Sequence, residues 1–256
     1  MGLFDIARPV VFWLDDLITF LPPLLRLALW AAAAAFVGMA VYRLASPQEK
    51  LKKLKIEVRE NRRAMMEFDG EADEMWPVLA ASLGSSLKHL GLTFGGALLA
   101  GLPVLLLISP VAQRYGYDLP IAGSLVGFEI VDAEPGLWAW NGEGKSQSVD
   151  AAAGMGQISW PETGSTMELA ADGIVLASLP LPPGSAVVHK KLWWNRLFAN
   201  PAGYLDAEAP LTYLKIHLPE KQVLQFGPGW IRGWAFSFFV VLIGFSIALK
   251  IWWAIE

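Results

Sequence analysis

Three long apolar runs constrain this chain more than any other feature of its sequence. They cover roughly residues 24–44, 91–109 and 230–253. An α-helix rises about 1.5 Å per residue, so each run is about as long as the roughly 30 Å hydrocarbon core of a bilayer. Charged residues make up only 17% of the chain, against about 25% in an average soluble domain. The sequence therefore predicts a membrane protein with three transmembrane α-helices.

Prolines and tryptophans mark the ends of these runs. Pro22 and Pro23 precede the first run, where a missing backbone N–H costs least, and Pro110 is predicted to end the second. Tryptophan is enriched at membrane–water interfaces. The residues predicted to lie at the interface are Trp13, Trp193, Trp194, Trp230, Trp234, Trp252 and Trp253. For Trp193 and Trp194, filling the core of an external domain is the alternative.

The basic residues predict the orientation of the chain. The short loop after the first run is rich in lysine and arginine, and short cytoplasmic loops carry such an excess. These residues also form a candidate cytoplasmic contact surface: Lys50, Lys52, Lys53, Lys55, Arg59, Arg62 and Arg63. We therefore expect a multi-pass protein of the cell inner membrane, with the N-terminus outside and the C-terminus in the cytoplasm.

The resulting domain organisation has six parts. They are an interfacial amphipathic helix (1–21), a first span (22–45), a cytoplasmic helical hairpin (46–90), a second span (91–110), an extracytoplasmic β-rich domain (111–228), and a third span with a short cytoplasmic tail (229–256). In the first part, helical spacing gathers Asp5, Arg8, Asp15, Asp16 and Thr19 into one polar stripe. The helix is expected either to lie flat on the membrane or to dock on a partner subunit.

Two apolar stripes predict the hairpin. One comprises Leu51, Leu54, Val58, Asn61, Met65 and Phe68, with Asn61 as its one polar member, and the other comprises Trp76, Leu79, Leu83, Leu87 and Leu90. Two such short coiled-coil-like helices would pair through these seams. The basic face either anchors the hairpin to lipid headgroups or docks an acidic partner such as a ribosome or a nascent chain. No aromatic residue is interleaved with the lysines, so specific nucleic-acid readout is not expected.

Residues 111–228 carry short alternating segments separated by glycine- and proline-rich turns, which predict a β-sandwich-like domain. The expected strands are 125–131, 137–140, 156–160, 166–170, 174–177, 186–189, 213–217 and 223–226. The sequence Gly142–Ser146 resembles the end of a phosphate-binding loop, but its flanks are predicted strands and indicate a hairpin turn.

The sequence offers little for catalysis. It has no cysteine, and His89, His189 and His217 lack the spacing of metal ligands. No nucleophile elbow and no paired intramembrane acids occur. We therefore expect a protein that is not an enzyme and that needs no cofactor or metal.

Few polar residues fall in or near the spans. Arg26 is expected either to reach the lipid headgroups or to face a hydrophilic groove that receives a polar passenger segment. Thr93, Ser237 and Ser246 could line the same groove.

The order of elements resembles the YidC/Oxa/Alb insertase superfamily. The segment 46–68, SPQEKLKKLKIEVRENRRAMMEF, is similar to the basic hairpin of its minimal three-span branch in archaea and the endoplasmic reticulum. The resemblance covers about 21–110 and 229–253, and the β-rich part has no counterpart in that branch. It implies a non-catalytic insertase or chaperone-like factor acting on nascent membrane proteins, with Arg26 as the groove charge. The alternative is an accessory or scaffolding subunit of a larger inner-membrane complex.

Overall fold

The computed structural model describes residues 2–71, 75–142, 144–198 and 200–255. Among these, three helices are long and apolar enough to cross a membrane: α2 (Pro23–Ala45), α4 (Met75–Tyr115) and α6 (Trp234–Trp252). They match the three predicted runs and indicate a membrane-spanning protein. The other helices are α1 (Arg8–Leu17), α3 (Gln48–Met66) and the short α5 (Gly229–Arg232), with a 3₁₀ turn at Leu3–Asp5.

The chain forms two compact units. The first comprises Met1–Leu27 and Leu106–Ser237, and the second comprises Ala28–Leu105 and Phe238–Glu256. The first unit contains α1 and all of the β-strands. The second contains α3 and most of the three long helices.

Helix α4 is longer than predicted, and Pro110 does not end it. Proline in a helix interior costs about 3 kcal/mol, but the turn beyond it is held by burial of Val111 and Tyr115. The helix stops before Gly116, where a Cβ would come within 2.4 Å of the Ala112 carbonyl oxygen. The third predicted run is likewise corrected at its start. Gly233 is extended and separates α5 from α6.

Among the described residues of the first unit, nine strands form two sheets. They are β1 (Leu125–Val131), β2 (Trp138–Gly142), β3 (Lys145–Val149), β4 (Met155–Ser159), β5 (Met167–Ala171), β6 (Ile174–Leu179), β7 (Val187–Lys190), β8 (Tyr204–Leu205) and β9 (Tyr213–Ile216). One sheet has the order β4-β1-β9-β7-β8 and the other β3-β2-β5-β6. All pairs are antiparallel except β7 with β8.

The two sheets share one apolar core. Alternate residues of β1 point into it, so Val126, Phe128 and Ile130 are all buried. The ring of Phe128 packs edge to face on the ring of Trp140, which belongs to the other sheet, with centroids 5.7 Å apart. The ring quadrupoles favour this geometry. The β-rich region predicted from the alternating pattern is therefore present.

Three differences from the predicted strands have local causes. Strand β3 was not predicted because its sequence, KSQSV, has no apolar alternation; it pairs as an edge strand with β2. The two-residue β8 is too short to leave a pattern. The predicted strand 223–226 is absent, because the backbone N–H groups of Val223 and Leu224 donate to the Arg232 carbonyl instead.

Candidate functional site

The most densely bonded polar group in the first unit is the carboxylate of Asp15, near the end of α1. Its side chain is only 1% exposed. Arg26 donates to it from both Nε and a terminal nitrogen, Arg114 donates from Nε at 3.0 Å, and the Tyr115 hydroxyl donates at 2.7 Å. Arg114 also pairs with Asp16. Two aspartates and two arginines thus form a cluster of balanced charge, which we call the Asp15 cluster.

The local sequence explains why this cluster forms. Helix α1 ends at Leu17 and α2 begins at Pro23, so a short connection returns the first turn of α2 to the last turn of α1. The connection brings Arg26 to Asp15, and the C-terminal turn of α4 supplies Arg114 and Tyr115. A buried charge needs a counter-charge and hydrogen bonds. Arg26 and Arg114 supply the counter-charge to Asp15, and together with Tyr115 they supply the hydrogen bonds.

Arg26 is largely buried and ion-paired within this cluster. Its side chain is 12% exposed and ion-paired, and its guanidinium lies 5.8 Å from the Tyr115 ring centroid. In this arrangement it presents no unpaired charge to a passenger segment. Its role as a groove residue stays a prediction.

A second buried carboxylate, Asp5, fixes the start of the chain. It accepts hydrogen bonds from Gln113 Nε2 at 2.9 Å, from the Asn200 backbone N–H at 2.8 Å and from the Gly2 backbone N–H at 2.9 Å. The Leu3 N–H donates to the Arg196 carbonyl at 2.8 Å. Leu3 and Asp5 are thus bonded to other parts of the same unit.

These bonds orient the N-terminal segment. Asp5 and Asp15, from its predicted polar stripe, face into the unit, whereas the apolar side chains of Ile6, Val10 and Phe20 are exposed. The opposite would hold for an amphipathic helix packed on a soluble core. The predicted polar stripe is therefore partly buried, and Val11 of the predicted apolar face is buried as well.

A cavity of about 200 Å³ adjoins the Asp15 cluster, with Arg26, Tyr115, Trp160 and Lys221 in its wall. Both arginines of the cluster are already ion-paired. Lys221 lies 3.9 Å from an Asp118 oxygen and near the Tyr115 ring. The cavity therefore has an aromatic and charge-compensated wall.

The other predicted groove residues are placed separately. The Thr93 hydroxyl donates to the His89 carbonyl of its own helix at 2.9 Å. Ser237 is buried, and its hydroxyl has no hydrogen-bond partner among the described residues. Ser246 is half-buried on α6. Arg26 and Ser237 belong to the first unit and Thr93 and Ser246 to the second, so a shared groove stays a prediction.

In the second unit, α3 and α4 meet through polar residues. Leu51 and Leu54 are buried as predicted. Farther along α3, Asn61 Nδ2 donates to Ser85 Oγ at 3.1 Å and to the Ala81 carbonyl at 3.4 Å. A leucine opposite Asn61 would leave its amide without a partner, which costs about 1–3 kcal/mol when buried.

The predicted second seam is therefore wrong. Of its five members, Trp76, Leu83, Leu87 and Leu90 are exposed and Leu79 is only half-buried. The inward face of α4 instead carries small and polar residues, which are Ser82, Ser85, His89, Thr93, Gly96 and Ala100. At Gly96 a Cβ would come within 2.1 Å of Ser46 Oγ and 3.2 Å of the Tyr42 ring. The absence of a side chain lets α2 and α4 approach closely there.

The opposite face of α4 is one exposed apolar stripe. Residues at helical spacing share it, namely Trp76, Leu83, Leu87, Leu90, Phe94, Leu98 and Leu105. At about 1.5 Å per residue it extends for roughly 44 Å. It begins well before Gly91, where the apolar run starts, and continues along that run without interruption. We call it the α4 stripe.

The predicted basic contact residues lie along α3. Lys50, Lys52, Lys53, Lys55, Arg59, Arg62 and Arg63 are all exposed. Arg63 pairs with Glu67 at 2.8 Å, one turn away, and such an exposed pair contributes little. Most of the basic surface is thus accessible to a partner.

The predicted interface tryptophans are mostly exposed: Trp13, Trp193, Trp194, Trp230 and Trp252. Trp234 is half-buried. Trp253 is also half-buried and lies between the Phe36 ring, at 5.4 Å, and the Arg43 guanidinium, at 5.8 Å. Trp194 packs edge to face on Phe198, which contacts Phe4 in the same way. The alternative that Trp193 and Trp194 fill the β-domain core is not supported by their exposure.

The histidines of the first unit have ordinary surroundings. The His189 ring is tilted against the Tyr213 ring, with the two centroids 5.5 Å apart, and burial lowers the pKa of His189 below its usual value. His217 Nε2 lies 3.8 Å from a Glu129 oxygen. Within the described part of the chain, no three His, Asp or Glu side chains are grouped as metal ligands. The segment after Gly142 returns as β3, with Gly142 opposite Lys145, so no helix follows it.

Comparison of the chain with protein-family models, curated proteins and solved structures gives no match. The arrangement of its own residues therefore carries the functional proposal.

Proposed function

We propose that the chain is a non-catalytic membrane-protein insertase or chaperone-like factor. The observation that carries the proposal is the α4 stripe, a continuous exposed apolar track on a helix that also enters the membrane. A soluble hairpin helix would normally bury its leucines. Here Leu87, 66% exposed, lies before the apolar run that begins at Gly91. An apolar client segment could bind the first part of the track and follow it into the lipid.

The inward face of α4 supports the same proposal. Its serines, His89 and Thr93 give the second unit an interior edge that is more polar than the lipid-facing side. Partly polar surface at membrane depth lowers the cost of passing a short hydrophilic segment, because unsatisfied polar groups cost several kcal/mol in hydrocarbon. The basic residues of α3 would attract acidic client segments or ribosomal RNA electrostatically.

The proposal includes an orientation, with α3 in the cytoplasm and the β-sheets outside. The test is a single cysteine, which the chain otherwise lacks. Lys53→Cys should resist a membrane-impermeant thiol reagent in intact cells, and Thr163→Cys, in an exposed turn, should react. If Lys53→Cys were labelled and Thr163→Cys were not, the orientation would be the opposite of the one proposed.

Crosslinking tests the function. A photoreactive residue at Leu87, on the α4 stripe, should capture nascent membrane proteins during translation. The same residue at Thr163, in an exposed turn of the β-rich domain, is the control and should capture fewer. Capture of only fixed, stoichiometric subunits at both positions would contradict the insertase proposal.

The second candidate is an accessory or scaffolding subunit of a membrane complex. It is favoured by the Asp15 cluster, which uses Arg26 for internal pairing rather than for a passenger. Exposed apolar residues of the first unit, such as Ile121 and Leu137, would then contact other subunits. Purification in mild detergent separates the two, because a scaffold would retain fixed partners in constant ratio.

A further inference from the structure

An open groove of about 560 Å³ lies on the second unit, lined by α3 and α4. Its wall comprises Lys50, Lys53, Leu54, Glu57, Lys88, Gly91 and Leu92. The α3 residues follow one another at helical spacing, as do Lys88, Gly91 and Leu92, so each helix turns a single face to the groove. The lysines come from both helices, and Lys88 lies one turn before the apolar run that begins at Gly91.

The charge of this groove is not compensated internally. Three lysines and Glu57 leave a net charge of +2. None of the three lysines forms an ion pair in the described part of the chain, although Glu57 shares the groove. The groove thus matches a ligand that carries two negative charges.

The rest of the groove suits hydrocarbon. Leu54 is buried in its floor and Leu92 is part of its wall. A Cβ built on Gly91 meets no atom within 4 Å, and the same holds for Gly95 one turn farther along α4. These glycines leave open space that runs from the lysines along the apolar part of the helix.

We propose that this groove is a binding site for a dianionic phospholipid, one whose headgroup carries two phosphates. The lysines bind the phosphates at the membrane surface, and an acyl chain lies over Gly91 and Gly95. Basic pockets beside transmembrane helices bind such headgroups electrostatically. The inference is independent of the proposed function, because an insertase or a scaffold could both carry the site.

The test uses the full chain, purified in mild detergent, and native mass spectrometry with added lipid. Wild-type protein should bind a diphosphatidylglycerol in preference to phosphatidylcholine. Replacing Lys50, Lys53 and Lys88 together with Gln should weaken binding by about 100-fold, at roughly fivefold per lysine near the surface. The matched control replaces Lys52, Arg59 and Arg62 with Gln, which removes the same charge from other faces of α3.

A second variant separates lipid from free phosphate. Gly91→Phe keeps every charge and fills the open space, so it should weaken lipid binding at least about tenfold by excluding the acyl chain. Binding of inorganic phosphate should be weak in wild type and unchanged in this variant. The proposal is overturned if both triple variants lose binding equally, if phosphatidylcholine binds as well, or if Gly91→Phe binds the lipid normally.

Discussion

The buried carboxylate of Asp15 is the most informative position for a stability measurement. Asp15→Asn keeps the size of the side chain and removes its charge, which leaves Arg26 buried without a counter-ion. Removing one partner of a buried ion pair costs about 3–5 kcal/mol. We expect the lower end of that range, because Asn keeps one acceptor oxygen and Arg114 keeps its bond to Asp16.

Asp16→Asn is the matched control. The Asp16 side chain is 59% exposed and binds Arg114 only at the surface, so its loss should cost about 0–1 kcal/mol. For a chain of this size, about 2–4 °C of Tm corresponds to each kcal/mol. Asp15→Asn should therefore lower the Tm by at least about 6 °C in detergent, measured by tryptophan fluorescence, and Asp16→Asn by less than about 4 °C.

The double variant Asp15→Asn with Arg26→Met supplies a stricter test. If the cost of Asp15→Asn comes from the unpaired Arg26 charge, removing that charge as well should recover part of the lost Tm. Equal Tm changes for Asp15→Asn and Asp16→Asn, with no recovery in the double variant, would refute the account of the cluster.

Two further predictions test other parts of the structure. The cysteine pair Asn61→Cys with Ser85→Cys should form a disulfide under mild oxidation. The pair Asn61→Cys with Leu87→Cys should not, because Leu87 faces away from α3. The opposite result would support the predicted leucine seam. Burial lowers the pKa of His189, so the unfolded chain binds its proton more readily and stability should fall as the pH drops below about 6.5. Unfolding measured between about pH 7.5 and 5.5 should show a smaller fall in His189→Gln. A wild-type slope in His189→Gln would contradict this.

The sequence predicted what periodicity and apolar run length determine. The three long helices follow from run length, and β1 was predicted at its observed bounds because Val126, Phe128 and Ile130 alternate with more exposed residues. The sequence pattern gave wrong element bounds where long-range contacts determine the structure. Helix α4 passes Pro110 because the turn beyond it packs, and no local signal in the sequence reports that packing.

The same limit applies to the candidate site. Sequence reasoning selected Arg26 as an unusual charge near a span but missed Asp15 as its partner, eleven residues earlier. The signal was present, since Asp15 lies on the polar stripe of α1 and Arg26 follows one short turn. In the hairpin, Asn61 was recognised as the one polar seam member. Its need for a polar partner could have indicated Ser85 rather than Leu83 or Leu87.

Reconstitution tests the central claim, that the chain moves clients into the membrane, most directly. Liposomes containing the purified protein should insert a single-span client with a short hydrophilic tail, measured as protection of that tail from added protease. The paired variant Leu87→Asp with Leu90→Asp, which interrupts the α4 stripe, should reduce the protected fraction toward that of empty liposomes. Equal protection in wild-type and empty liposomes would contradict the insertase proposal.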